Sequence, residues 1–324
     1  MIIIYNSGRD KNRLNYFRSN FPRATHLLLK GNIFRIFALI ALSSLRKNKD
    51  VINIIFVGGP IIFLPFFPFF RLIGLRFVYD TYDFPRHKHL INYFDKIILI
   101  LYAWLINFSD ELIFLNDCYF ESFRHLSGSN IKSRVTVLPP IPHYREIGGE
   151  CVLLEPSFIY VGHFARVHRI EQFLLWYSSL AQSYNVKFHL IGYDRIGRHN
   201  ELKSKFSDSR IKFWGRLEKI DYFMRPGNIG VGIFGDDLKS VDSETNKILE
   251  YMNAGMLVVT GKNKVLPRLF PNAPGIFYVT NFQEFLRCID LITNLSSCER
   301  EALGRCNNRL IKKLSEVYPK KWSA

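Results

Sequence analysis

The sequence predicts an α/β protein built from two doubly wound parallel sheets, and three observations carry the prediction. In the second half, short apolar strands end repeatedly in glycine: Phe158 to Val161 before Gly162, Val186 to Ile191 before Gly192, and Ile211 to Trp214 before Gly215. In the first half, Ile2 to Tyr5 runs into a Gly-containing loop, and Val51 to Gly59 is a β-branched run closed by two glycines, as a fully buried parallel strand would be. Between the halves, PPIP at 139–142 can continue neither helix nor strand. A chain of 324 residues is long enough for two cores.

Taken in order, Ile2 to Tyr5 precedes a polar helix reaching about Arg18, and Ile33 to Lys49 has helical periodicity with a basic end. After Gly59, Pro60 can start a helix. The stretch IIFLPFFPFFRLIG then carries two prolines among aromatics, which leaves two readings. One is a kinked helix packed on the sheet; the other is an apolar, Arg-flanked surface that dips into a bilayer. Leu75 to Tyr79 is a strand delivering Asp80 and Asp83 into the loop YDTYDFPRHKH. Ligands of open α/β sheets gather at the C-terminal ends of strands, so either aspartate is a candidate general base, with a turn-capping role as the alternative. Arg86, His87, Lys88 and His89 beside them read as a solvated basic loop.

An apolar helix follows from Leu90 to Phe108, then a strand within SDELIFLND, a helix from Asp117 to His125 and a strand from Val135 to Leu138. The polar run to Glu150 reads as a linker and places the first domain at residues 1–145 and the second at 146–305, with a basic helix at 306–324 that could pack back on the first. The second half continues with a helix from Ile170 to Gln182, a strand from Ile229 to Phe234, a strand from Ile276 to Val279, and helices from Phe282 to Leu295 and Glu299 to Val317.

Composition bounds the partners. The formal charge of +16 suits an anionic membrane surface, a phosphorylated substrate or nucleic acid, but no RNA-binding signature or zinc-finger spacing is present, which argues against nucleic acid. Five scattered cysteines without metal-ligand spacing indicate a reducing compartment and no zinc. The longest apolar run, Ile97 to Phe108, is too short to span a bilayer, and the first residues do not form a signal peptide. These features point to a cytoplasmic protein, with a peripheral membrane position left open.

The stretch DSETNKILEYMNAGMLVV at 242–259 is the most informative. A polar loop enters a helix near Asn246 or Lys247, and unpaired amides at a helix N-terminus form a ready anion site. Lys247 adds charge to the positive end of the helix dipole instead of complementing it, which suggests a bound phosphate. Glu250, three residues on, shares its face and suits ribose hydroxyls; the alternative is an ordinary amphipathic helix with an ion pair.

Together these motifs resemble the GT-B glycosyltransferases, in particular the group 1, family 4-like enzymes that include bacterial surface-polysaccharide and lipid-linked oligosaccharide assembly proteins. IYVGHFARVHRIEQF, HLIGYD, IKFWGRL and above all NKILEYMNAGMLVV are similar to the C-terminal donor domain of that group, while FVYDTYDFP, NFSDELIFLND and RVTVLPPIP are similar to its N-terminal half. The resemblance implies two Rossmann-like domains with sheets facing across a cleft, and a nucleotide sugar, UDP- or GDP-linked, held mainly by the second. Glu250 would bind ribose, and Lys247 with the amides of Thr245 and Asn246 the pyrophosphate, while Gly215, Arg216 and Leu217 would run along the base. Asp242 stands where the group usually has Glu, His163 after Gly162 stands where it has Arg, and Arg166, His168 or Arg169 would replace a Lys.

The resemblance further implies sugar transfer to a hydroxyl of a glycan, lipid-linked, at the inner face of a bacterial membrane, with no cofactor and no essential metal. An inverting path follows if Asp83 or Asp80 is the base, a retaining one if neither is. The alternatives are a nucleotide-sugar epimerase of the same fold and a non-catalytic basic protein that binds membranes or nucleic acid.

Overall fold

The computed structural model describes residues 2–5, 17–19, 21–28, 36, 40, 53–57, 61–81, 93–128, 130–142, 144–147, 155–164, 169–180, 184–192, 197–232 and 246–320. The chain divides into two compact units, Met1–His143 and Tyr144–Ala324, two residues from the boundary that the Pro-rich linker predicts.

The first unit holds β1 (Ile2–Tyr5), β2 (Thr25–Leu28), β3 (Asn53–Val57), β4 (Arg76–Asp80), β5 (Glu111–Phe114) and β6 (Arg134–Val137), ordered β2-β1-β3-β4-β5-β6. All of its pairings are parallel. The proline-rich stretch is a 3-10 turn, Ile61–Phe66, leading into α1 (Phe67–Leu72). Pro68 sits in the first turn of α1, where a missing N–H costs no helical bond. One face of this bent segment is core: Phe63, Phe67 and Phe70 are buried against Phe56 of β3 and Phe77 of β4, with the Phe67 and Phe77 rings 4.6 Å apart. Helix α2 (Tyr93–Ile106) adds Leu99, Tyr102, Ala103 and Ile106 to the same core. Helix α3 (Asp117–Ser127) is started by Asn116, whose side chain accepts from the Tyr119 amide at 2.7 Å, and is stopped by left-handed Gly128.

The second unit holds β7 (Ser157–Val161), β8 (Lys187–Ile191), β9 (Ile211–Gly215), β10 (Ile229–Gly232), β11 (Leu257–Thr260) and β12 (Ile276–Tyr278), ordered β12-β11-β10-β7-β8-β9, again all parallel. Its helices are α4 (Ile170–Ser178), α5 (Arg198–Lys205), α6 (Asn246–Asn253), α7 (Leu266–Leu269), α8 (Phe282–Asn294) and α9 (Ser297–Lys320). Phe158, Phe173, Tyr177, Phe188 and Phe285 fill one face of the sheet; Ile159, Ile248, Tyr251, Met252 and Ile311 fill the other. Helix α9 runs unbroken through residue 306. Within this unit Asn307 donates to the carbonyls of Met256 and Gly275, and Asn308 to those of Arg145 and Asn253.

Three described elements have no counterpart in the sequence reading: β2, α5 and the one-turn helix α7. Strand β2 is four residues at a sheet edge, too short to show alternation. Helix α5, RHNELKSK, is polar nearly all round; Leu202 enters the core and Arg198 is buried by an ion pair to Glu171 at 2.8 Å. The helix expected to reach Gln182 is helical to Ser178.

Candidate functional site

In the second unit, strands β7, β8 and β9 are each closed by a glycine, and backbone bonds tie each of the first two glycine turns to the end of the next strand. The Gly162 amide donates to the Ile191 carbonyl at 2.9 Å, and the Gly192 amide to the Gly215 carbonyl at 2.7 Å. Gly192 has φ 152°, and a Cβ there would lie 1.8 Å from the Gly162 carbonyl oxygen, so no other residue fits this turn. The glycine-ended strands thus bring their backbones closer together than side chains would permit.

Helix α6 packs against this edge. Its Tyr251 ring and Ile248 side chain occupy the space that side chains on Gly230 and Gly232 of β10 would fill, which explains the sequence IGVG in that strand. Lys247 and Tyr251, four residues apart, therefore face β7 together. The Tyr251 hydroxyl accepts from the Val161 amide at 2.8 Å. The Lys247 amine donates to the Tyr160 hydroxyl at 3.1 Å, lies 4.2 Å from the centre of that ring, and stands 3.0 Å from where a Gly162 Cβ would be. Tyr160 is fully buried and donates in turn to the His163 carbonyl.

The electrostatics follow from this enclosure. Lys247 is half-buried as a residue, but its amine end is withdrawn from water, and that burial lowers its pKa to about 7. Burial, then the neighbouring Tyr251, raises the Tyr160 hydroxyl well above its ordinary value. Burial thus disfavours the charged amine, and a neighbouring anion would favour it again.

The other residues singled out in the sequence are placed as follows. Asn246 and Glu250 are half-buried on α6 beside Lys247. His163 is exposed just after Gly162, and Arg169 is exposed at the N-terminal end of α4 with φ 44°. Gly215 ends β9; Arg216 after it is exposed, and Leu217 packs on the core face that holds α6. The Gly162 amide is already committed to Ile191, so this residue serves by leaving room for the Lys247 amine. Thr245, Arg166, His168, Asp242, Asp83 and the basic loop 86–89 lie outside the described residues.

In the first unit, Asp80 is fully buried at the end of β4. Its neighbour Thr81 ties the chain down: its amide and hydroxyl both donate to the Ile113 carbonyl, and its own carbonyl accepts from Tyr119. Sequence reasoning missed Tyr160 and Tyr251. The available signal was the i,i+4 spacing of Lys247 and Tyr251, but Tyr160 reads from sequence as one more apolar strand residue.

No protein family's sequence profile matches the chain, and no curated protein matches it. Solved structures do. The chain is similar to Anabaena Alr3699/HepE in complex with UDP, with a TM-score of 0.72, 13% identity and 99% of each chain covered. It is similar to the same protein in complex with UDP-glucose, with a TM-score of 0.65, 12% identity, and 98% of this chain and 99% of that one covered. It is also similar to WaaG, a glycosyltransferase involved in lipopolysaccharide biosynthesis, with a TM-score of 0.60, 12% identity, and 99% and 98% covered. The two parallel six-stranded sheets and these likenesses define the class: the chain has the GT-B fold of nucleotide-sugar glycosyltransferases.

Proposed function

We propose that the protein is a glycosyltransferase that moves a sugar from a nucleotide donor to a hydroxyl of a lipid-linked glycan, working peripherally at the inner face of a bacterial membrane in surface-polysaccharide or glycoconjugate assembly. The observation that carries this reading is the Lys247 amine enclosed between Tyr160 and Gly162 at the end of β7. In the strand order of this sheet, the crevice between β7 and β10 is the switch point where ligands bind in doubly wound folds. A diphosphate there meets the Lys247 amine and the N-terminal amides of α6, contributed by Thr245 and Asn246. Glu250 holds the ribose hydroxyls, and the segment Gly215, Arg216, Leu217 follows the base. His163, Arg166 and Arg169 supply further positive charge, and Asp242 faces the sugar. UDP is the favoured nucleotide because HepE, of the same fold, is solved with UDP and UDP-glucose.

Departure of the nucleoside diphosphate develops negative charge on its terminal phosphate, and the Lys247 ammonium with the helix amides offsets that charge without reorganising. The acceptor hydroxyl must lose a proton. Asp80 is fully buried and suits the role of loop anchor; Asp83, three residues on, is the base in this reading, which makes the reaction inverting. No cofactor or metal takes part, so chelation with EDTA leaves turnover unchanged.

Thermal unfolding in the presence of UDP, GDP, CMP and TDP sugars tests the donor assignment, since a bound ligand raises the midpoint with the logarithm of its concentration. UDP-sugars should stabilise the protein and Lys247→Ala should abolish the shift; no shift with any nucleotide would overturn the proposal. Incubation with donor alone separates an epimerase, which converts it, from a transferase, which needs the acceptor.

A further inference from the structure

Both α1 and α2 of the first unit are apolar on the faces they turn away from the core. Beyond the buried Phe63, Phe67 and Phe70, the 3-10 turn and α1 expose Phe66, Phe69 and Leu72, the last at 85%. Opposite the buried Leu99, Tyr102 and Ile106, α2 exposes Ile97, Leu101 and Trp104, a stripe at i, i+4, i+7 with Trp104 at 53%. The two elements are neighbours. Their exposed apolar side chains thus stand on adjoining elements, more of them than the scattered single residues a water-facing helix carries.

We infer that this surface docks into the interfacial layer of an anionic phospholipid bilayer. Helix α2, at 14 residues, is too short to cross a bilayer, and no described helix is long and apolar enough to do so; a helix with large apolar side chains on its outer face instead lies in the interface. Charge selects the occupant. Residues 51–79 contain no Asp or Glu, and the exposed Arg76 lies beside the surface, while Arg71, also exposed, is paired with Asp110. The first 143 residues carry eighteen Lys and Arg against nine Asp and Glu, a formal +9. An anionic lipid surface attracts such a unit, whereas a second copy of this chain, at +16, repels it. The purpose assigned to the surface, delivery of a lipid-linked acceptor, rests on the function proposed above; its binding to lipid does not.

The test is sedimentation of the full chain with vesicles of phosphatidylcholine containing phosphatidylglycerol, against phosphatidylcholine alone. The protein should bind the anionic vesicles, and the double variant Leu72→Glu/Leu101→Glu should bind them about tenfold more weakly or worse. Trp104 emission should shift to shorter wavelength on vesicle addition, a shift that Trp104→Phe removes. The UDP-dependent rise in unfolding temperature should survive in the double variant, which establishes its fold and keeps failure of the donor reading distinguishable from failure of this one. Wild-type protein that ignores the vesicles, or a double variant that binds them as wild type does, overturns the inference. So does a wild-type dimer in sedimentation velocity that the double variant dissolves, because the surface would then be a self-association face.

Discussion

The two units are made of the same parts and use them differently. Each is a six-stranded parallel sheet, but strands run in the order 2-1-3-4-5-6 in the first and, counted from β7, 3-2-1-4-5-6 in the second. In the second unit, beside the buried apolar face of α6, a lysine amine is enclosed against a strand end. In the first, helices α1 and α2 also leave large apolar side chains in contact with water. Selection for stability alone would favour neither arrangement, since the one withdraws a charge from water and the other exposes oil. The contrast teaches that in each unit the proposed binding role falls on the feature that departs from ordinary burial.

The strongest way to break this comparison is Lys247→Ala. Loss of a preorganised cation at a departing diphosphate should lower kcat by about a hundredfold to a thousandfold with the circular dichroism unchanged. Normal turnover would return Lys247 to an ordinary packing role. Next in size, Phe67→Ala should cost about 3–5 kcal/mol in urea unfolding, because it empties a site between Phe56, Phe77 and Tyr79. Leu72→Ala, five residues on, should stay within about 0.5 kcal/mol. Equal costs for the two would mean that the outer face of α1 is covered after all.

A smaller effect comes from Tyr160→Phe. Without its hydroxyl the ammonium loses an acceptor and the His163 carbonyl a donor, so UDP affinity should fall by about tenfold, equivalent to about 1–2 kcal/mol. The pH dependence of binding should move with it, which loss of packing alone would not cause. In the wild type, the Lys247 pKa of about 7 lies below that of a lysine in the unfolded chain. Between those values the unfolded chain binds more protons, so the free protein gains stability as pH rises above about 7. Diphosphate binding needs the charged form, so UDP affinity should decline as pH rises through the same window, by up to about tenfold per unit. Titration calorimetry in buffers of different ionisation enthalpy would register the proton taken up; affinity independent of pH from 6.5 to 9, a range chosen around the value of about 7, would remove the charge-gain argument. In Tyr160→Phe the decline should begin at lower pH.

Much of this was legible from residue order. Gly162, Gly192 and Gly215 after apolar runs announced the glycine-ended strands, and the polar loop before Asn246 announced the start of α6. Other parts were not legible. Leu202 is one apolar position in a polar octapeptide, so α5 shows no periodicity, and Asp80 and Asp83 look alike in a loop sequence although Asp80 is fully buried.

The sequence by itself determined the α/β alternation, the glycine turns and the helix that carries Lys247 and Glu250, because periodicity and turn chemistry are local properties of the chain. Only the tertiary structure decided that Tyr160 receives the Lys247 amine and that β10 needs two glycines to admit α6. It also decided that one face of the proline-rich segment is core while the other stays open. Those depend on which strands lie side by side and how deeply each side chain is withdrawn from water. Residues 160 and 247 meet through sheet order, not through spacing along the chain.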